Sequence, residues 1–146
     1  MQIGFIGLGI MGKAVKHVGE QGMGASFKMV VNLLVAQNII IFSEAVALGR
    51  ALGFSREMLF EMLLDGPLAA PYLSLKKPKI EEGNCEADFP LKWMHKDLHL
   101  VALTAYEKGV ALPTTNVAKE VFLQAKKSGL GEKDFAAIFD YLSSWE

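Results

Sequence analysis

The chain has 146 residues, 51% of them hydrophobic and 21% charged, and a formal net charge of −1. That is enough apolar material for one globular core, and too little charge imbalance to draw the chain to nucleic acid or an anionic membrane, so neither is expected as a partner. A lone Cys85 cannot close an intrachain disulfide, and without a signal-peptide pattern the expected setting is reducing and cytoplasmic.

The first element, Met1 to Ile6, is a short apolar strand followed by Gly7, Leu8, Gly9, Ile10, Met11 and Gly12. A G-x-G-x-x-G after a strand is the setting in which glycines let the backbone approach a pyrophosphate at a helix N-terminus. A working dinucleotide fold also needs a continuing helix, a second strand and a ribose-reading residue about 20 positions on, and none of these follows here. Val15 to Val18 is a second strand-like piece, so the two could pair as a short hairpin.

The longest element opens at Gly22 and runs as a helix to about Arg50. Nearly every residue from Phe27 to Leu52 is apolar, which predicts a helix apolar all round at the centre of a helical bundle. Lys28 and Asn32 stand four apart and so share a face. A buried Lys28 would be a candidate acid or base, since desolvation brings a lysine toward neutral pKa; the plainer alternative is a stem lying on the core with its charge in water. Met29 to Leu48 also raises a membrane span, but Asn32, Gln37, Asn38, Ser43 and Glu44 interrupt it and no basic cluster flanks it, so no membrane is expected.

Ser55 is the expected N-cap of the next helix, with Met58, Leu59, Met62 and Leu63 as its apolar stripe and Gly66-Pro67 as its end. A short helix is expected over 69–75, and a polar loop over 76–88 because of Pro78, Gly83 and Asn84. Pro90 starts a helix to Gly109 that buries Leu91, Met94, Leu98, Val101, Ala102 and Ala105. Pro113 starts another to about Ser128, with Val117, Val121 and Ala125 inward, stopped by Gly129 to Gly131. A last helix buries Phe135, Ile138, Phe139 and Leu142. His95 and His99 form an i, i+4 pair, but Lys96 stands where a zinc hydrolase needs glutamate, so no metal is expected. Lys96 and Asp97 are adjacent and so about 100° apart around the helix, which predicts that they do not share a direction.

Gly19, Gly22, Gly24, Lys28 and Asn32 follow the pattern G-x-x-G-x-G-x-x-x-K-x-x-x-N, which resembles the catalytic motif of the β-hydroxyacid dehydrogenases. Phe89 to Leu98 resembles that family's second C-terminal motif, and Met1 to Gly12 its nucleotide-binding start. The resemblance implies 3-hydroxyisobutyrate dehydrogenases and glyoxylate or succinic-semialdehyde reductases as kin, together with non-enzymatic relatives. It implies Lys28 as proton donor or acceptor, Asn32, Phe89 and Asp97 at the substrate, Gly7 to Gly12 and Lys96 at the cofactor, and NAD or NADP as that cofactor. The implied fold is mainly α, a helical bundle around a long central apolar helix, with a nucleotide-domain remnant over 1–21 and an all-α domain over 22–146. Set against the family pattern, most of the nucleotide-binding sheet is absent, so the chain alone is expected to show no measurable NAD or NADP binding and no turnover. The alternative is a non-catalytic helical dimerisation module or deletion product. A homodimer is expected in either case, held by the helices and with residues 1–20 as candidates for exchange.

Overall fold

In a computed structural model, residues 19–83 and 86–143 are described. The expected strand pieces, the glycine turn Gly7 to Gly12, and Cys85 lie outside the described residues. Among the described residues the fold is mainly α, as expected, with six α-helices and no strand. Helix α1 is Met23–Ala51, α2 Arg56–Leu64, α3 Pro71–Glu82, α4 Leu91–Glu107, α5 Pro113–Ala125 and α6 Ile138–Ser143. A π-type turn, Lys126–Leu130, follows α5, and a 3-10 turn, Phe135–Ala137, leads into α6.

Helix α1 starts where Gly22 takes φ 93, a left-handed conformation that a side chain would strain. It is not apolar-buried all round: Val35, Ala36, Ile39, Ile40, Phe42, Ser43, Val46 and Gly49 face the core, while Phe27, Leu34, Ile41 and Leu48 are exposed at seven-residue intervals. The reason is supply, since α2 to α6 are short and cover only one side of α1. By length and composition α1 could also cross a membrane, a test that the core helix of a soluble bundle passes as well. Against its buried face lie α4, α5 and α6, and Phe42, Phe60 and Phe139 meet there with ring centroids 5.6, 5.7 and 5.9 Å apart. Each such fully buried side chain contributes roughly 1.5–3 kcal/mol of transfer free energy.

Ser55 caps α2 as expected, its Oγ accepting from Met58 N at 3.2 Å. The stripe expected on α2 needs correcting: Phe60 and Leu64 are the buried residues, Leu59 and Leu63 flank them, and Met58 and Met62 are exposed. The loop expected over 76–88 is also corrected, because α3 runs through Pro78 to Glu82. Long-range contacts hold it despite the missing N–H. Leu73 and Ile80, two turns apart, are buried, the Arg56 guanidinium donates to Ile80 O at 2.6 Å, and Gly83 ends the helix at φ 64. On α5 the inward residues are Thr115, Ala118, Phe122 and Ala125, and Val117 faces out. The stop at Gly129 is real, with φ 90.

The start of α4 is fixed by a buried carboxylate. Asp134 is fully buried, and its Oδ2 accepts from Lys76 Nζ at 2.9 Å, Asp88 N at 3.0 Å and Phe89 N at 3.2 Å, while Oδ1 accepts from Ala136 N at 3.0 Å. The first free N–H groups of α4 are met by the same segment, Leu91 N donating to Lys133 O at 2.8 Å and Lys92 N to Gly131 O at 3.0 Å. Lys76 also pairs with Asp88 and lies 4.8 Å from the Phe135 ring centroid. Desolvation pushes the Asp88 carboxyl upward, and the Lys76 and Lys79 ammonium groups outweigh it and hold the carboxyl below its usual range.

Removing Asp134 takes the closer of two carboxylates from the mostly buried Lys76 ammonium and strands three backbone donors. Asp134→Ala is therefore expected to lower unfolding free energy by about 3–5 kcal/mol, as for other broken buried ion pairs. Urea denaturation measures this, and a loss below about 1 kcal/mol would show that the cluster is not structurally required.

Candidate active site

Helices α1 and α4 run antiparallel, as Asn32 meets Asp97 and Met29 meets Thr104. Asn32 Nδ2 donates to Asp97 Oδ2 at 2.7 Å, which joins the two stretches that the sequence singled out. Asp97 is only 8% exposed, and a carboxylate so placed is costly unless its lone pairs are met. Its second oxygen is met by Lys96 Nζ at 3.2 Å. The expectation that adjacent Lys96 and Asp97 cannot share a direction is corrected. Their Cβ atoms diverge as predicted, but the four-carbon lysine stem folds back to the carboxylate and lies over the Trp93 ring, 5.3 Å from its centroid.

Lys28 is exposed, one turn before Asn32 and about 6 Å along the axis. The expectation of a buried lysine is thus corrected, because α1 is fully buried only from Val35 onward and its earlier turns touch the bundle along one edge that does not include Lys28. Among the described residues Asn32 has Asp97 as its one side-chain hydrogen-bond partner, and Lys28 has none. Phe89 lies eight residues before Asp97, roughly 12 Å along α4, half-buried with its ring 6.2 Å from that of Phe135. Asn32, Asp97 and Lys96 therefore form one cluster with Lys28 above it, and Phe89 belongs to the Asp134 end of α4. Gly7 to Gly12 lie outside the described residues.

His95 is half-buried, and burial, followed by the charges of Lys126 and His99, pulls its imidazole below the ordinary value. His99 is exposed, and no group of three metal-binding side chains occurs among the described residues. A groove of about 210 Å³ between α1 and α5, lined by Gln37, Ile40, Ile41, Glu44 and Val117 among others, contains none of the predicted site residues. Sequence reasoning missed the links that seat α1: Gln37 Nε2 donates to Thr115 Oγ1 at 3.0 Å, Thr114 Oγ1 donates to Gln37 Oε1 at 2.7 Å, and Tyr72 OH donates to Val35 O at 2.5 Å. It missed Asp134 too, whose only local signal is an aspartate before a helical turn, where its Oδ1 caps Ala136 N.

The facing stretches of α1 and α4 thus carry two exposed ammonium groups, a carboxamide and a carboxylate, groups able to bind a polar ligand and exchange a proton with it. No strand-turn-helix unit to cradle a pyrophosphate occurs among the described residues.

Residues 22–142 match the family model described as NAD-binding of NADP-dependent 3-hydroxyisobutyrate dehydrogenase. The chain is 34% identical over 137 residues to glyoxylate/succinic semialdehyde reductase 2, chloroplastic, of Arabidopsis thaliana, covering 94% of this chain and 38% of that one. It is also 30% identical over 129 residues to the human cytokine-like nuclear factor N-PAC, covering 88% of this chain and 23% of that one. The fold is that of Mycobacterium tuberculosis 3-hydroxyisobutyrate dehydrogenase solved with L-serine, with a TM-score of 0.77 and 22% identity over 87% of this chain and 46% of that one. The chain thus spans less than half the length of these relatives. With the family model covering every described helix from α1 to α6, and with both sequence motifs meeting at Asn32 and Asp97, the chain belongs to the NAD(P)-dependent β-hydroxyacid dehydrogenase family.

Proposed function

We propose that this helical domain supplies the proton-transfer and substrate-holding side of an NAD(P)-dependent oxidoreductase acting on a small 3-hydroxy acid, semialdehyde or glyoxylate-type compound. The observation that carries the reading is the 2.7 Å hydrogen bond between Asn32 and Asp97, which brings the family's two helical motifs into one site. Lys28 gives a proton to the substrate carbonyl oxygen in reduction and takes one from the hydroxyl in oxidation. Its exposed ammonium stands one turn from the carboxamide that holds the substrate. The cofactor, when bound, supplies or accepts the hydride. Asp97 keeps Asn32 in place, the exposed Lys96 neutralises Asp97 and would be the residue to meet the cofactor, and Phe89 stands at the start of α4. The dinucleotide crevice needs several strands and helix N-termini, so the domain acts together with a nucleotide-binding unit and shows no cofactor affinity without one.

A second reading, a non-catalytic association module, draws support from the kinship with N-PAC, whose name describes a nuclear factor. Both readings include a homodimer. Val30, Leu34, Ile41 and Leu48 are about 60% exposed, a row too apolar to leave in water along the one helix that the bundle covers on a single side. Residues 1–20 are candidates for exchange between the two copies.

The direct test of the enzymatic reading joins residues 22–146 to the nucleotide-binding domain of the Arabidopsis reductase and follows NADH and NADPH oxidation with glyoxylate and succinic semialdehyde. Turnover is expected, and Lys28→Met should reduce it by about 10²-fold or more, the scale of general acid–base catalysis. The same substitution in the chain itself should leave stability within about 0.5 kcal/mol, as for other exposed sites. Unchanged turnover in Lys28→Met would remove the role assigned to Lys28. For assembly, light scattering at micromolar concentration should give a dimer that Leu34→Glu with Ile41→Glu converts to monomer. A monodisperse wild-type monomer would exclude it.

A further inference from the structure

Asn32 carries one acceptor and two donors, and which of them a ligand meets depends on how the amide is turned. Asp97 settles this. An ionised carboxylate only accepts hydrogen bonds, so the group 2.7 Å from its Oδ2 must be the amide nitrogen of Asn32. Lys96 Nζ pairs with the other carboxylate oxygen at 3.2 Å, so both oxygens of Asp97 face donors. The carboxamide is planar, so fixing Nδ2 inward turns Oδ1 away from α4. Among the described residues no buried side-chain nitrogen or oxygen lacks a partner, and Asn32 bonds to Asp97 alone. Oδ1 is therefore open to whatever occupies the seam.

We infer that Asp97 is a positioning residue that makes Asn32 a hydrogen-bond acceptor, so that the site takes the hydroxyl form of its substrate in preference to the carbonyl form. This rests on the proposal that ligand lies beside Lys28 and Asn32. A hydroxyl bound beside the Lys28 ammonium accepts from it and donates its own proton to Asn32 Oδ1, and that proton turns to Lys28 only when the lysine is deprotonated and can take it. A carbonyl oxygen satisfies Lys28 equally well but sets its lone pairs against those of Oδ1 and leaves that acceptor unmet. Sites that present a polar group to a substrate hydroxyl discriminate strongly against the analogue lacking it.

The test uses the full chain labelled with ¹⁵N, the Asn32 side-chain amide being assigned by its loss in Asn32→Ser. In the free protein, one Asn32 amide proton should exchange with solvent at least about tenfold more slowly than that of an exposed asparagine, and Asp97→Ala should abolish the difference. Should that variant not fold, Asp97→Asn keeps the volume while removing the fixed polarity, and the protection should fall. Titration with 4-hydroxybutyrate and with succinic semialdehyde at millimolar concentration should then move the Asn32 signal. The hydroxy acid should bind at least about tenfold more tightly than the aldehyde, and Asp97→Asn should bring the ratio toward one. An unprotected amide, equal affinities, a ratio indifferent to Asp97→Asn, or a signal that neither ligand moves would each overturn the inference. Turnover lost in Lys28→Met alongside any of these results would leave the enzymatic reading standing and reject only the orientation of Asn32.

Discussion

A buried carboxylate with four donors, Asp134, sets the position from which the rest of the site is built. Its oxygens hold the backbone of Asp88 and Phe89 and the ammonium of Lys76, and the carbonyls just before it hold the first N–H groups of α4. This fixes both where α4 begins and its rotation about its axis. With 3.6 residues per turn, a helix begun at Leu91 brings Leu91, Met94 and Leu98 to the core and Asp97 to the same broad face, opposite Asn32. A start displaced by one residue would swing Asp97 by about 100° and break the seam. The stability of one end of the domain and the chemistry of the other are thus linked through the phase of a single helix.

Helix α1 divides its labour along its length and around its circumference. From Val35 to Gly49 one face is core, packed on the aromatic cluster of Phe42, Phe60 and Phe139. Before Val35 only one edge of the helix, through Met29, Val31 and Asn32, stays on the bundle, and Lys28 lies on the open side and is solvated although its neighbours are apolar. An exposed lysine there is held by the rigid helix that carries it, and placement on a rigid element rather than on a loop favours accurate positioning. Asn32 sits at the transition, half-covered, tied inward to Asp97 and open outward.

Much of this was legible in the sequence, and the failures have physical causes. The existence and order of α1, α2, α4, α5 and the last helix followed from apolar periodicity, Ser55, Pro90, Pro113 and Gly129. Lys28 and Asn32 were singled out by motif spacing and Asp97 by resemblance to the family's second motif, and the structure brings Asn32 and Asp97 into contact. Helix α3 is expected only over 69–75, and its second half reads as a loop because Pro78 and its lysines argue locally for one, while Leu73, Ile80 and Arg56 hold it as a helix through contacts distant in sequence. The burial of Lys28 was overestimated because apolar composition does not show which side of the first turns of α1 the other helices reach. The Lys96 to Asp97 pair escaped because a spacing argument applies to Cβ directions and not to a flexible lysine tip. Three of the four donors to Asp134 come from positions 45 to 58 residues away, and no local pattern reveals them.

The central claim is that the two family motifs form one site because Asn32 and Asp97 are bonded across α1 and α4. A double-mutant cycle on the intact chain, with Asn32→Ala, Asp97→Ala and the pair measured by urea denaturation, tests this most directly. The account predicts a coupling of about 1–2 kcal/mol, within the range for residues in one hydrogen-bond network. Effects additive to within about 0.3 kcal/mol would show that the residues are independent and that the motifs do not meet.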